Sequence, residues 1–504
     1  MKVKKRTICQ TCRRKKISCD GKKPSCSQCL FRDLGCPGYE VDWTFVSQNS
    51  TITRGRDGRK ADRAGQSRHA IPSRSNSELT TEACSPTLQR PLAVPLSQLV
   101  TLIVRSYAPG PGTLGRINTY QPRVCGAWVE VLPDLIGNGT DKTLCSAVRA
   151  FALSILSGGP ESKAPVSTGL KAYSLALCSL SNCLSSVRDL SLSNQVAAAV
   201  MCVLLAELFL PTTMGSWNAH LQGFGRIMEL SRPETYTSGV THRFFVGARP
   251  ALIVLAVLSR KASFLATRKW RDIPFSKIAP SALQSVMSEG ALIPGILERL
   301  DSTARLSRGS VLRIAEEVLR AFSDVVDRLD RWERAFQSST LYPSFWPMPA
   351  SHRDSNGRPC IWFPDVTAAN ALTHFWAFRV ICLSGISKVT ASYPELEFKC
   401  QPLNSLRDSE STETSQNTRF LETVRLSIRI CQSIDYLLQD EMKLFGPTSV
   451  ILPLRTAYDT FEAGGSRTEQ ERVWCKDILA GIIAKGYRFV PVFFEAFGAS
   501  RVGM

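Results

Sequence analysis

The stretch from Cys9 to Cys36 reads C-Q-T-C-R-R-K-K-I-S-C-D-G-K-K-P-S-C-S-Q-C-L-F-R-D-L-G-C, a C-x2-C-x6-C-x6-C-x2-C-x6-C pattern. Six thiols fall within 28 residues, as two halves of equal spacing. Zinc takes four tetrahedral ligands, at about 2.3 Å when they are sulfur, and a two-residue spacer lets one turn supply two of them. Six cysteines exceed the need of one zinc and fall two short of the eight ligand places of two. The shortfall closes if two thiolates each bridge both metals. The internal repeat favours this, because it puts the first cysteines of the two halves, Cys9 and Cys26, at equivalent positions. Six thiolates against two divalent cations leave two negative charges. Arg13, Arg14, Lys15, Lys16, Lys22 and Lys23 stand close enough in sequence to offset them.

Three disulfides are the competing use of six clustered cysteines, and they belong to small secreted domains. Such a chain needs a leader in which an apolar run follows the basic residues. Met1-Lys2-Val3-Lys4-Lys5-Arg6 carries the charge without that run. A metal site is therefore expected. The other eleven cysteines are scattered without a C-x2-C pair, several of them within apolar runs, which suits buried thiols in a reducing compartment.

The cysteine spacing, the basic run Arg13-Arg14-Lys15-Lys16, Pro24 two residues before the fourth cysteine and the tail Cys36-Pro37-Gly38-Tyr39 resemble the fungal binuclear zinc cluster family of transcription factors. The resemblance implies two zinc ions. One would be held by Cys9, Cys12, Cys19 and Cys26, the other by Cys26, Cys29, Cys36 and Cys9. It also implies two short helices, over Gln10–Ile17 and Ser27–Leu34, with the end of the first in the major groove. Lys15 and Lys16 would there contact a CGG triplet in double-stranded DNA. Guanine offers O6 and N7 acceptors in that groove, and a lysine ammonium donates to both. Arg13, Arg14, Lys22, Lys23 and Arg32 read as phosphate contacts, which position without specifying.

Charge is distributed accordingly. The chain carries a net +19, and residues 1–70, with 17 Lys/Arg against 6 Asp/Glu, account for +11 of it. A basic block around a metal cluster fits phosphate binding with counterion release. Lys2, Lys4, Lys5 and Arg6 with Arg13–Lys16 also suit nuclear import, so the expected location is the nucleus. From Ser47 to Pro95 the composition turns to Ser, Arg, Gly and Pro, the signature of a flexible basic linker. Leu88, Leu92, Leu96 and Leu99 are broken by Pro91 and Pro95, so no heptad seam marks a zipper and a homodimer is left open.

The remainder reads as helices joined by polar breaks. Apolar-rich or helically spaced segments cover Leu144–Leu156, Leu170–Val187, Asn194–Leu210, Trp217–Met228, Ala251–Phe264, Asp365–Ile386, Phe420–Leu438 and Glu469–Ala484. The clearest stripe is Val311, Ala315, Val318, Phe322, Val325, Leu329, Trp332 and Phe336, expected to pack in a core rather than in a coiled coil. Loops are expected near 232–245, 337–362 and 401–418. The longest apolar stretch, Val196–Leu210, contains Glu207 and is short of the roughly 20 residues a membrane span needs, so no membrane partner is expected. The fold class that follows is mainly α. A zinc cluster DNA-binding module (1–46) and a disordered basic linker (47–95) precede a large all-helical body (96–504). That body resembles the family's regulatory region, which contacts transcription machinery or coregulators.

Catalytic signatures are missing: no P-loop, no dinucleotide fingerprint, no H-E-x-x-H and no nucleophile elbow. His69, His220, His242, His352 and His374 do not sit at ligand spacing. The expectation is a regulator, not an enzyme, activating a fungal secondary-metabolite gene cluster. A repressor, a regulator of nutrient catabolism, or a metabolite-binding protein with an appended zinc module would share most of these features.

Overall fold

Capping side chains set where several helices begin. Asp141, Ser193, Ser281 and Asp365 each accept a hydrogen bond from the backbone N–H three residues on, at 2.8, 3.2, 3.3 and 2.8 Å. Each satisfies a donor that the first helical turn leaves without a partner, an interaction whose loss costs about 1 kcal/mol.

The computed structural model describes residues 11–12, 15, 19–20, 26–32, 94–109, 125–137, 141–159, 162–186, 193–213, 215–302, 308–339, 343–348, 357–399 and 412–488. The chain divides into two compact units, Met1–Thr87 and Leu88–Met504. In the first, Thr11 and Cys12 are helical, and Lys15 N–H donates to Thr11 O at 3.0 Å, an i to i−4 bond. Helix α1 spans Ser27–Phe31 and stops at Arg32, three residues short of the expected end. The predicted linker falls, except for residues 94 and 95, outside the described residues.

The second unit is built from α2 Leu96–Tyr107, α3 Lys142–Gly158, α4 Val166–Ser186, α5 Asn194–Phe209, α6 Ser216–Leu230, α7 Gly239–Ser259 and α8 Ala282–Gly290. It continues with α9 Ile293–Asp301, α10 Arg308–Ser338, α11 Val366–Ser392, α12 Thr412–Leu437, α13 Ile451–Gly464 and α14 Glu469–Ala484. Among the described residues the extended structure is one two-residue ribbon, pairing Trp346 with Trp362 and Pro347 with Ile361.

Two helices occupy the centre. Every residue of α5 from Val196 to Phe209 is buried, and α11 is buried along most of its length. Helices apolar on all faces belong inside, with amphipathic ones around them. Accordingly α3 packs on α4 and α5, and α11 packs on α8, α10 and α12. The stripe on α10 is core, as expected: Ala315, Val318, Phe322, Val325 and Leu329 are buried within this chain. Phe322 lies over Gly385 of α11, where a Cβ would stand 2.6 Å from its ring. Trp332 stacks on Phe336, with ring centroids 5.1 Å apart and planes at 6°, and leans on Phe375 at 5.3 Å.

Several breaks fall elsewhere than sequence suggests. The expected loop at 232–245 holds a single turn at Pro233–Tyr236 and then the start of α7. Its polar residues tie these two pieces together: Thr241 Oγ1 donates to Thr235 O at 2.6 Å, and His242 Nδ1 bonds Tyr236 O at 2.8 Å. Helix α7 therefore begins twelve residues before the apolar run at Ala251. It continues through Pro250 and ends at Arg260, which turns left-handed at φ 53°. Likewise α12 starts at Thr412, inside the loop expected over 401–418, and the ribbon strands occupy part of 337–362.

Two helices, Gly239–Ser259 and Val366–Ser392, are long and apolar enough to cross a membrane by length and composition, where sequence singled out only the shorter α5. Within their most apolar windows 67% and 78% of the residues are buried inside the protein. Both carry buried polar side chains, Arg249 and His242 in one, Asn370, Thr373 and His374 in the other.

Candidate metal centre

Cys26 sits where Ser, Thr or Asp usually caps a helix. Its extended backbone (φ −73°, ψ 149°) turns into α1, and its sulfur accepts from Cys29 N–H at 3.4 Å. One turn later α1 presents Cys29 on the same side. Asp20, directly after Cys19, accepts from Ser27 N–H at 3.1 Å and so holds the first residue of α1 against the segment that carries the third cysteine. Sequence reasoning passed over Asp20; its position beside a cysteine, before a second C-x2-C, was the available signal.

The sulfur of Cys12 lies 3.6 Å from that of Cys26 and 3.9 Å from that of Cys29. Both distances are far beyond the roughly 2.05 Å of a disulfide. The Cys12–Cys26 distance matches the spacing of about 3.8 Å between two sulfurs of one tetrahedron with 2.3 Å metal–sulfur bonds, and Cys29, expected on the other zinc, lies almost as near to Cys12. Cys12, Cys26 and Cys29 are buried and bring their ligand atoms within 4.8 Å of one another. Cys19, Asp20 and Cys26 form a second such group. Cys26 is the member common to both. The donor set fits zinc: buried, sulfur-rich and close-spaced. Lys15 is exposed on the turn that follows Cys12, and Arg32 is exposed at the end of α1. Cys9, Cys36, Arg13, Arg14, Lys16, Lys22 and Lys23 lie outside the described residues.

Among the described residues the histidines of the second unit, His220, His242 and His374, have other employment. His220 Nε2 meets the Tyr173 hydroxyl at 2.6 Å, and His374 Nδ1 bonds the Asn370 carbonyl at 2.8 Å. Burial lowers the pKa of His220 and His242, and pushes that of His374 down to about 4. Glu207, a carboxylate inside α5, accepts from Thr212 N–H at 2.8 Å, Thr212 Oγ1 at 2.6 Å and Ser216 Oγ at 2.7 Å. The Tyr173–His220 bond ties α4 to α6 and the Ser216–Glu207 bond ties α6 to α5, whereas the His374–Asn370 bond lies within α11.

Residues 7–42 match the fungal Zn(2)-Cys(6) binuclear cluster domain family. The chain thus carries a fungal zinc cluster domain followed by a helical body. Over 190 residues it is 26% identical to the uncharacterized protein AN5342 of Emericella nidulans, a match covering 36% of this chain and 40% of that protein. No solved structure matches the chain.

Proposed function

We propose that this chain is a nuclear, sequence-specific DNA-binding transcription factor of RNA polymerase II genes. The observation that carries the reading is the Cys12–Cys26–Cys29 sulfur group inside a segment that matches the zinc cluster domain family. Residues 1–46 form the DNA-binding domain, 47–95 the linker and 96–504 the regulatory body. Cys9, Cys12, Cys19, Cys26, Cys29 and Cys36 hold two zinc ions, with Cys9 and Cys26 shared; the common membership of Cys26 in both ligand groups supports its half of that assignment.

Bound zinc would supply the folding energy of a segment too small to fold by apolar burial alone. The cysteine-bearing turns then aim the first basic helix at a major groove. Lys15 and Lys16 contact the guanine edges of a CGG-like triplet, while Arg13, Arg14, Lys22 and Lys23 neutralise phosphates. The exposure of Lys15 suits this task. The helical body contacts coregulators, acts away from membranes and performs no catalysis. The tail Cys36-Pro37-Gly38-Tyr39 supports a regulator that activates a fungal secondary-metabolite gene cluster.

Selection of bound DNA from a random pool by the full-length, zinc-loaded chain tests the reading. It should enrich CGG-containing sites and report whether one half-site or two are needed, which decides monomer against homodimer. Uniform recovery of all sequences would overturn sequence-specific regulation. Transcript profiling after deletion of the gene reads the sign of regulation and the pathway.

A further inference from the structure

Positive charge in the helical body is concentrated in one short stretch. Residues 231–280 hold nine Lys/Arg against two Asp/Glu, a net +7, whereas the whole of Leu88–Met504 carries +9 from 44 Lys/Arg and 35 Asp/Glu. Four of the nine are engaged. Arg249 is fully buried, Arg260 forks onto Asp301, Lys261 meets Glu298 at 3.0 Å and Arg268 meets Asp272 at 3.2 Å. Arg232, Arg243, Lys269 and Lys277 are exposed, Arg271 is half-buried, and none of the five is in an ion pair. Elsewhere in the body exposed arginines commonly have acidic partners, as Arg320 has Glu316, Arg425 has Glu422 and Arg472 has Glu469.

An aromatic cluster gathers the five. Between ring centroids, Tyr236 lies 5.6 Å from Trp270 and 5.7 Å from Phe245, and Phe275 lies 5.7 Å from Phe245 and 5.8 Å from His242. These rings clamp together the turn Pro233–Tyr236, the start of α7 and the stretch from Arg268 to Phe275. Arg232 precedes the turn, Arg243 follows His242, Lys269 and Arg271 flank Trp270, and Lys277 stands two residues past Phe275. Segments distant in sequence therefore carry their free cations around one small core. Unmatched like charges held together repel one another, and an anionic partner relieves the repulsion.

We propose that this basic face of the body is a second DNA-binding surface, which holds the phosphate backbone without reading sequence. The make-up of the face decides between polyanions. Protein interfaces are depleted of charge at their core and anchored by large apolar side chains, whereas DNA interfaces are more polar and strongly positive. Within 231–280 no large apolar side chain is exposed; the nearest along the chain is Leu230. The inference rests on the reading that residues 1–46 bind DNA, because a bound module raises the local concentration of phosphates for the body tethered to it. Each phosphate neutralised releases counterions, so the face steepens the salt dependence of binding.

The test is a fluorescence-anisotropy titration of the full-length, zinc-loaded protein onto a long labelled duplex of unrelated sequence, at about 50 to 200 mM salt. Wild type is compared with the fourfold variant Arg232→Gln, Arg243→Gln, Lys269→Gln, Lys277→Gln. Across that range the wild type should lose about a hundredfold more affinity than the variant, since each contact adds about 0.9 to the salt slope. A control variant replaces four exposed lysines scattered over the body, Lys142, Lys171, Lys443 and Lys476, by Gln. It has the same net charge as the first variant and should keep the wild-type slope. Equal slopes for wild type and the first variant, the outcome if the face takes an acidic protein instead, would overturn the proposal. So would an equal loss in the control. Selection of CGG-containing sites with equal slopes would sink this inference alone, and unequal slopes without any such selection would sink the transcription-factor reading alone.

Discussion

Gln284 donates its side-chain Nε2–H to the backbone carbonyl of Val246, at 2.9 Å across two helices. Pro250, four residues after Val246 in α7, has no N–H, so that carbonyl lacks its helical donor. The same glutamine accepts from Arg249 Nη1 through both Oε1 (3.0 Å) and its backbone oxygen (2.8 Å). One residue of α8 therefore repairs the proline break in α7 and helps to house a fully buried guanidinium.

Gln284→Met keeps the volume and removes both side-chain bonds. It should destabilise the body by about 2–4 kcal/mol, because a buried carbonyl and part of a buried charge lose their partners. Urea unfolding followed by circular dichroism measures this. An unchanged midpoint would show that α7 tolerates its proline unaided.

His374 makes stability depend on pH. Burial sets its folded pKa at about 4 against 6.5 for the free side chain. The unfolded chain therefore binds a proton that the folded one refuses. This contribution is absent above about pH 6.5, and destabilisation grows as pH falls from there towards 4. At pH 5 the loss should be about 2 kcal/mol relative to pH 7. The difference in urea midpoint between pH 7 and 5, compared for wild type and His374→Gln, isolates the effect. Identical pH responses of the two proteins would contradict it.

Cys26→Ser should strip the module of its metal and of DNA binding, because Cys26 belongs to both ligand groups. Far-ultraviolet circular dichroism should change little, since the helices of Leu88–Met504 pack around their own core. Zinc counted by elemental analysis should fall from two per chain to less than one. A chelator should reproduce the loss, and added zinc should reverse it in wild type alone. A variant that retains both ions would remove Cys26 from its shared position.

Lys16→Ala should weaken binding to the selected CGG-like site by about 1–3 kcal/mol and leave binding to unrelated DNA nearly as it was. Competition titrations at fixed salt measure both. An equal loss on every sequence would make Lys16 a phosphate contact only.

Local signals were enough for much of this molecule. Cysteine spacing alone singled out Cys12, Cys26 and Cys29, and the structure draws their sulfurs together. The stripe on α10 and the bounds of α14 followed from three-or-four periodicity, because an amphipathic helix records its buried face in its own residues. The start of α7 was hidden, since Thr241 and His242 look like loop residues until Thr235 and Tyr236 are seen to accept from them.

What the amino-acid order determined by itself was the thiol framework, the basic first segment and the succession of helices, all properties of residues near one another along the chain. What tertiary structure alone decided was how α7 passes Pro250 and where Asn370 stands. Val246 finds its donor in Gln284 on another helix, and Asn370, 1% exposed, is buried with its side-chain oxygen unpartnered. Within Ala368-Ala369-Asn370-Ala371-Leu372, part of a helix buried on nearly every face, no periodicity marks that asparagine. Partners brought together from distant helices leave no local trace in sequence.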